Sequence, residues 1–373
     1  MSPRSTNTAT TATTGTTGTG TGTTTGTASG PSEPATGEPI TGPSAIASTM
    51  PAAVARRYGT AEVISVENVP TPTPRKNEVL VGVAASSLNA LDWHFLTGSP
   101  YFLRLIAGLR RPKRIIHGAD VAGTVVAVGA DVTSLRVGDR VFGESAGGGF
   151  APYLATKAET LSGIPTGVSF EAAGATPVAG LTALQGLRTH GAVRPGEHVL
   201  INGAAGGVGT FAVQIAKALG AEVTAVCSTR NVDMIRRLGA DHVIDYTTDD
   251  FVPGGARFDV MLDNIGNRSA ADCMSVLRPA ARYVAVSGPK ENRLLGPVGH
   301  LIRTKFAFRR TDATFHQFTA VTNQSDLAFI GNLLASGQVV PEVQRTIGLD
   351  GVADALAEIG SGHVRSKIVV VPT

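Results

Sequence analysis

The chain has 373 residues, 42% of them hydrophobic, enough for two domains with sizeable cores. Its formal net charge of +3, with positive and negative residues interspersed, is too small and too mixed for a nucleic-acid partner. Two cysteines, Cys227 and Cys273, cannot make a disulfide framework, and no run of about 18 apolar residues offers a membrane span or stable membrane insertion. The N-terminus carries no signal-peptide core, so a reducing cytoplasm is expected.

Residues 1–47 are dominated by Thr, Gly, Ala, Ser and Pro and contain no aromatic residue. Such a segment buries too little apolar surface to offset its ordering entropy, and it reads as a disordered tail. Met50 opens a stretch that looks like a domain start, so translation from there is a second reading of the tail. Residues 48–171 read as a β-rich domain. Its strands are predicted at 62–66, 78–84, 121–128 and 140–142, between Pro and Gly punctuation. Residues 101–109, followed by Arg110, Arg111, Lys113 and Arg114, read as a lid or dimer contact, with a membrane-surface element as the other reading.

From 172 to 311 strands and helices alternate. The pattern predicts a helix over 170–187, a strand over 198–202 and a helix over 210–219. It continues with a strand over 222–227, a helix over 232–238, and strands over 242–245 and 258–262. A helix over 269–277 and a strand over 282–286 complete the series. This alternation indicates a doubly wound parallel sheet. Residues 312–373 add helices at 327–336 and 351–360 and a strand at 367–371, which has no place in the alternation and is expected to return to the first domain.

The most informative stretch is Val199-Leu200-Ile201-Asn202-Gly203-Ala204-Ala205-Gly206-Gly207-Val208-Gly209, an apolar strand entering a glycine-rich turn before a helix. Such a turn brings backbone N–H groups to a pyrophosphate at a helix N-terminus. Set against G-x-G-x-x-G, the register is Ala204-x-Gly206-x-x-Gly209. Ala204 replaces the first glycine, which is tolerable where φ is negative. NAD binders usually end the next strand with an acid that holds the ribose 2′-hydroxyl. Here that strand runs into Ser228-Thr229-Arg230-Asn231, which has no carboxylate. Ser228 and Arg230 can bind a 2′-phosphate, which favours NADP (NADPH). Alternatively Ser228 and Thr229 only cap the helix beginning near Val232.

With these residues, the chain resembles the medium-chain dehydrogenase/reductase superfamily, and within it the zinc-independent quinone oxidoreductase branch that includes ζ-crystallin. The resemblance spans about residues 50–373. It rests on Arg57-Tyr58-Gly59, Glu78-Val79-Leu80, Ser86-Ser87-Leu88-Asn89-Ala90-Leu91-Asp92 and Gly118-Ala119-Asp120-Val121-Ala122-Gly123. It also rests on Val137-Gly138-Asp139-Arg140-Val141-Phe142-Gly143, Gly180-Leu181-Thr182-Ala183, the turn at Gly206, and Gly362-His363-Val364-Arg365-Ser366-Lys367. It implies a GroES-like β domain, completed by the C-terminal segment, with a Rossmann domain inserted. It further implies NADPH in the interdomain cleft and a homodimer. Where zinc alcohol dehydrogenases carry their ligands, this chain has Asn89, Ala119-Asp120 and the region of Pro177, and two cysteines cannot form a four-cysteine site.

Carried over residue by residue, the resemblance places Asn89 at the nicotinamide end and Thr182 near the phosphates or the nicotinamide ribose. Gly206, Gly207 and Val208 would cradle the pyrophosphate, and Tyr246 would stack near the adenine or touch the 2′-phosphate. Asn264 and Gly266 would end the fourth strand near the ribose, and Ser287 and Gly288 would end the next strand. His94 occupies a position where relatives often have Tyr, and Lys367 borders the cleft. Asn89 and His94 are the candidate catalytic residues. Each also has a plain structural reading, Asn89 as a turn organiser and His94 as core packing beside Trp93 and Phe95. The activity implied is a metal-free, NADPH-dependent reduction of a small quinone or α,β-unsaturated carbonyl. An NADPH-binding sensor or scaffold and a zinc-independent alcohol or aldehyde dehydrogenase are the alternatives.

Overall fold

The computed structural model describes residues 46–253, 257–287, 298–362 and 364–372, with Gly20 and Gly22. The disorder expected of residues 1–47 therefore falls outside the described residues at all but Gly20, Gly22, Ile46 and Ala47. Ala47–Thr373 forms one compact unit.

Within it lie two large sheets. The first is six-stranded and parallel, in the order His242–Asp245, Glu222–Cys227, His198–Asn202, Phe258–Asp263, Leu277–Ala285, Thr314–Gln317. Counted from His198–Asn202, this is the order 3-2-1-4-5-6 of a Rossmann sheet, which reverses direction between His198–Asn202 and Phe258–Asp263. Val199, Leu200, Ile201, Val260, Met261 and Leu262 are all fully buried, because helices cover both faces of such a sheet.

The second sheet has seven strands. Its path runs Val343–Ile347, Lys367–Val370, Glu78–Ser87, Asp120–Val128, Arg140–Glu144, Leu161–Gly163, and Tyr153–Lys157 also pairs with Glu78–Ser87. The strand left over by the alternation thus joins the first part of the chain, Val369 opposite Ser87 and Val370 opposite Ser86. A hairpin of Thr49–Ala55 and Ile64–Pro70 stands beside it. Phe142 of this sheet shares one apolar core with Leu184, Phe211 and Ile330, so the two sheets are bridged by packing.

Several predicted elements are corrected. The single helix expected over 170–187 is broken into Phe170–Gly174 and Pro177–Leu184, and the latter continues as a π-wound turn, Gln185–His190. Pro177 has no N–H to bond back to the preceding turn, so the first helix stops before it and a new one starts at it, with Thr176 between them still in the right-handed region. The strand expected at 62–66 is a single helical turn, Ala61–Val63, followed by Ile64–Pro70. Leu277–Ala285 begins five residues before the predicted strand, at the end of helix Ala270–Val276.

A buried polar cluster ties these parts together. Lys367 is 1% exposed, and its Nζ donates to Leu88 O at 3.1 Å, Asn89 Oδ1 at 2.5 Å and Asp120 Oδ2 at 3.2 Å. The fully buried Asp120 also accepts from Ser87 Oγ, Asn89 Nδ2 and, at 2.7 Å, the backbone N of Val178. One carboxylate thus holds two strands, a helix start and the first turn of Pro177–Leu184. Removing one partner strands a buried charge. Lys367→Met is expected to lower unfolding free energy by about 3–5 kcal/mol. Adding Asp120→Asn should recover part of that loss, read from the denaturant midpoint at unchanged m-value.

Candidate functional site

At the point where the parallel sheet reverses, strand His198–Asn202 ends in Gly203 and helix Gly207–Ala218 begins after Gly206. Gly203 has φ +78°, and a Cβ there would stand 2.7 Å from Ile265. The left-handed residue of the turn is therefore Gly203, one position before the Ala204 that the fingerprint register singled out. Ala204 is fully buried and outside the left-handed region, so alanine is tolerated there. A Cβ on Gly209 would lie 2.2 Å from Gly203 O, so only glycine lets the helix sit this close to the strand end. Gly206, with φ −79°, could carry a Cβ without strain, its nearest atom being 3.7 Å away. Its missing side chain instead keeps the first-turn N–H groups open to the cleft, and a helix makes no internal bonds to those groups.

Across the switch point, the fully buried Asp263 fixes the opposing loop. Its Oδ1 accepts from Asn202 Nδ2 and from the backbone N of Ile265 and Gly266, at 2.8–3.0 Å. Its Oδ2 accepts from Tyr283 OH at 2.7 Å, and burial beside this carboxylate pushes the Tyr283 phenol up, so it stays a donor. Asn264 follows. Its Nδ2 donates to Asn202 O, while its Oδ1 is shielded and has no hydrogen-bond partner among the described residues. An acceptor left this way beside a cleft fits a ligand hydroxyl.

Both loops open on one cleft of about 1020 Å³. Gly206, Gly207, Val208, Asn264, Gly266 and Ser287 line it on the Rossmann side. His94, Thr182 and Glu144 line it from the other. Thr182 Oγ1 donates back to Val178 O, and His94 Nδ1 meets Ser99 O at 2.8 Å. Gly288 lies outside the described residues.

Asn89 is placed differently from the expectation. It is 8% exposed and does not line the cleft, and both its amide atoms are engaged by Lys367 and Asp120. Its neighbours Ala90 and Leu91 line the cleft instead. Its backbone N donates to Asp92, whose other carboxylate oxygen takes Gly118 N. Burial raises the Asp92 carboxyl to about 7, against the pull of those two N–H donors. Lys367 is likewise buried in this cluster, its side chain packed behind the cleft-lining Gly207. Two of the positions that resembled zinc-ligand positions, Asn89 and Asp120, thus hold a lysine ammonium. Among the described residues no group of three or more His, Cys, Asp or Glu could hold a metal ion.

Ser228, Arg230 and Tyr246 lie beyond the cleft, past the ends of the next two strands. Ser228 Oγ accepts from Asn231 Nδ2, Tyr246 N donates to Cys227 O, and the Tyr246 ring and Arg230 are exposed. Asn231 Oδ1 is buried without a partner among the described residues. Asp245 ends the third strand here. The hydroxyls and N–H groups of Thr229 and Thr247 hold its carboxyl below the usual range.

Glu144 escaped the sequence reading, for no local motif marks it. It ends strand Arg140–Glu144 and accepts from Thr322 Oγ1 at 2.6 Å. Burial, with the Asp120 charge adding, holds its carboxyl above the usual range. It also lines a second, apolar cavity of about 450 Å³, which shares Leu91 with the cleft.

Comparison with known proteins agrees with this architecture. Residues 75–175 match the alcohol dehydrogenase GroES-like domain, and residues 238–370 match the zinc-binding dehydrogenase family. The chain is 32% identical to the chloroplastic quinone-oxidoreductase QR1 of Triphysaria versicolor, over 82% of this chain and 92% of the relative. It is 30% identical to the chloroplastic NADPH-dependent alkenal/one oxidoreductase of Arabidopsis thaliana, over 89% and 82%. The solved structure of the quinone oxidoreductase from Coxiella burnetii superposes with a TM-score of 0.77 at 29% identity, covering 87% of this chain and all of that one. The chain belongs to the medium-chain dehydrogenase/reductase superfamily, in its quinone oxidoreductase branch. It is an oxidoreductase of the NAD(P)H-dependent kind.

The two glycines of the turn separate fold from binding. Gly209→Ala is expected to cost about 1–3 kcal/mol through overpacking against Gly203 and Ala204. Gly206→Ala should keep the wild-type melting temperature yet weaken nicotinamide dinucleotide binding at least tenfold, measured by nucleotide fluorescence.

Proposed function

We propose that the chain reduces quinones or α,β-unsaturated carbonyls with NADPH. The observation that carries this is the cleft at the switch point, whose Rossmann side brings together open helix N–H groups and the partnerless Asn264 Oδ1. Gly206, Gly207 and Val208 would hold the pyrophosphate, and Asn264, Gly266 and Ser287 the ribose beside it. Gly288 would stand next to them. Ser228 and Arg230 would take the 2′-phosphate, with Tyr246 covering the adenine end. Asp245 is a carboxylate close by, and its engagement by Thr229 and Thr247 supports its standing aside; Glu358 also lies within charge range of Arg230. The bound nicotinamide supplies hydride; the protein supplies orientation and control of the proton.

Thr182, His94 and Glu144 face the space in which a carbonyl would sit. Negative charge developing on the substrate oxygen needs a donor there. The buried amide of Asn89 supports a positioning role, holding Ala90, Leu91 and His94 through the helix start. Glu144 keeps its proton to higher pH than an exposed carboxyl, which supports its returning a proton to the reduced substrate. The relatives named for quinone and alkenal/one reduction support the substrate class. A homodimer and a cytoplasmic setting complete the proposal, and two buried cysteines fit a reducing compartment.

NADPH oxidation over a panel of quinones and enones tests this reading. Turnover of at least one class is expected, and tight NADPH binding with no turnover would leave a nucleotide sensor. Arg230→Ala should weaken NADPH by roughly 10–100-fold, as a lost charge-assisted bond of about 1.5–3 kcal/mol implies. NADH binding should stay unchanged, and an equal loss for both would refute the 2′-phosphate assignment. Glu144 also predicts a pH limb. With the protonated form active, kcat falls as pH rises through its raised pKa. Glu144→Gln keeps the Thr322 bond and should lower kcat at low pH while abolishing that limb.

A further inference from the structure

The three most exposed large apolar side chains among the described residues lie in the segment 101–114. Leu105 and Ile106 are each 71% exposed and Leu109 is 68% exposed, at the tip of the short helix Arg104–Ala107 and just beyond it. Isolated exposed leucines mean little, but three within five positions form a patch that water does not favour. Arg110, Arg111, Lys113 and Arg114 follow directly, all exposed and none in an ion pair among the described residues. Between Asp92 and Asp120 the chain has no acidic residue. Arg104 is set apart, stacked on Tyr58 and Tyr101 and bonded to the carbonyls of Thr97 and Gly98. It braces the tip, and the four later cations stay exposed, with Lys113 and Arg114 also at the rim of the cavity below.

The 450 Å³ cavity lies directly beneath this tip. Ile106, Ala107, Pro112 and Lys113 form its outer wall, and Glu144 and Leu91 join it to the cleft. His117 Nε2 is buried on its wall with no partner among the described residues.

We propose that residues 101–114 dock on an anionic lipid bilayer, with Leu105, Ile106 and Leu109 entering the interface and the four cations lying on the headgroups. Charge complementarity selects this occupant. A second copy seated face to face would set four cations against four, since a two-fold contact apposes the same patch. A bilayer of acidic lipids satisfies both the apolar and the cationic half at once. That such docking would deliver lipid-borne carbonyls through the cavity rests on the reductase reading, whereas the docking itself does not.

Flotation of the full chain with vesicles tests it. Binding is expected to vesicles of phosphatidylcholine with one third phosphatidylglycerol at low salt, release at high salt, and little binding to phosphatidylcholine alone. Leu105→Asp/Leu109→Asp and Arg110→Glu/Arg111→Glu should each reduce binding roughly tenfold or more, at unchanged melting temperature. Failure of the wild-type chain to float with the acidic vesicles overturns the proposal, as does undiminished flotation of both variants. Conversion of a wild-type dimer to a monomer by Leu105→Asp/Leu109→Asp, seen by gel filtration, would assign the face to a second copy and overturn it too. Because flotation needs no turnover, an inactive protein that floats would refute the reductase reading and leave the docking intact.

Discussion

A lysine ammonium enclosed between Asn89 and Asp120 governs how the two halves of this molecule meet. Lys367 comes from the last strand of the seven-stranded sheet, Ser87 and Asp120 from two of its other strands, and Val178 from the helix leading into the Rossmann sheet. Every donor of the ammonium is used, and both carboxylate oxygens of Asp120 are engaged. A buried ion pair contributes little net stability against an apolar replacement. What this one imposes is register, because a slipped strand would leave two charges without partners. The cleft walls inherit that register, since Ala90, Leu91 and His94 stand on the helix that begins at Asn89.

Asp263 does the same task on the opposite wall. It collects the backbone of 265–266, the Asn202 amide and the Tyr283 hydroxyl around one carboxylate. The rim is thereby held before any ligand arrives, and the Asn264 carbonyl oxygen is held unsatisfied. Preorganisation of this kind lowers the ordering cost of binding.

The parallel sheet was legible because its strands are apolar runs punctuated by glycine, and because Gly203–Gly209 carries the signature of a close helix approach. The turn's register was only partly legible. The fingerprint spacing points to Ala204, while the positive φ falls on Gly203, and spacing alone carries no dihedral information. The resemblance sets Asn89 at the nicotinamide end of the cleft, where its neighbours Ala90 and Leu91 stand; one step along the helix start turns its own side chain into the core. Lys367 and Asn89 are 278 positions apart, so nothing local announces their contact. Glu144 is hidden for a similar reason, as its partner Thr322 and the cavity it lines come from distant segments. The short strands Tyr153–Lys157, Leu161–Gly163 and Thr314–Gln317 went unread, being too brief to show an alternation.

The insertion of one sheet's chain into the other also sets an order of assembly. Every strand of the parallel sheet lies between residues 198 and 317, so that lobe has all its strands once this stretch has been synthesised. The seven-stranded sheet needs Lys367–Val370 beside Glu78–Ser87, and until then Asp120 lacks its ammonium and one strand edge stands open. A growing chain therefore holds a sheet from its earlier part unfinished while a later part completes, the reverse of the N-terminal-first sequence usual for tandem domains. The nascent form carries an unpaired edge and an uncompensated buried carboxylate together, which makes that interval the one in which a chaperone has most to shield.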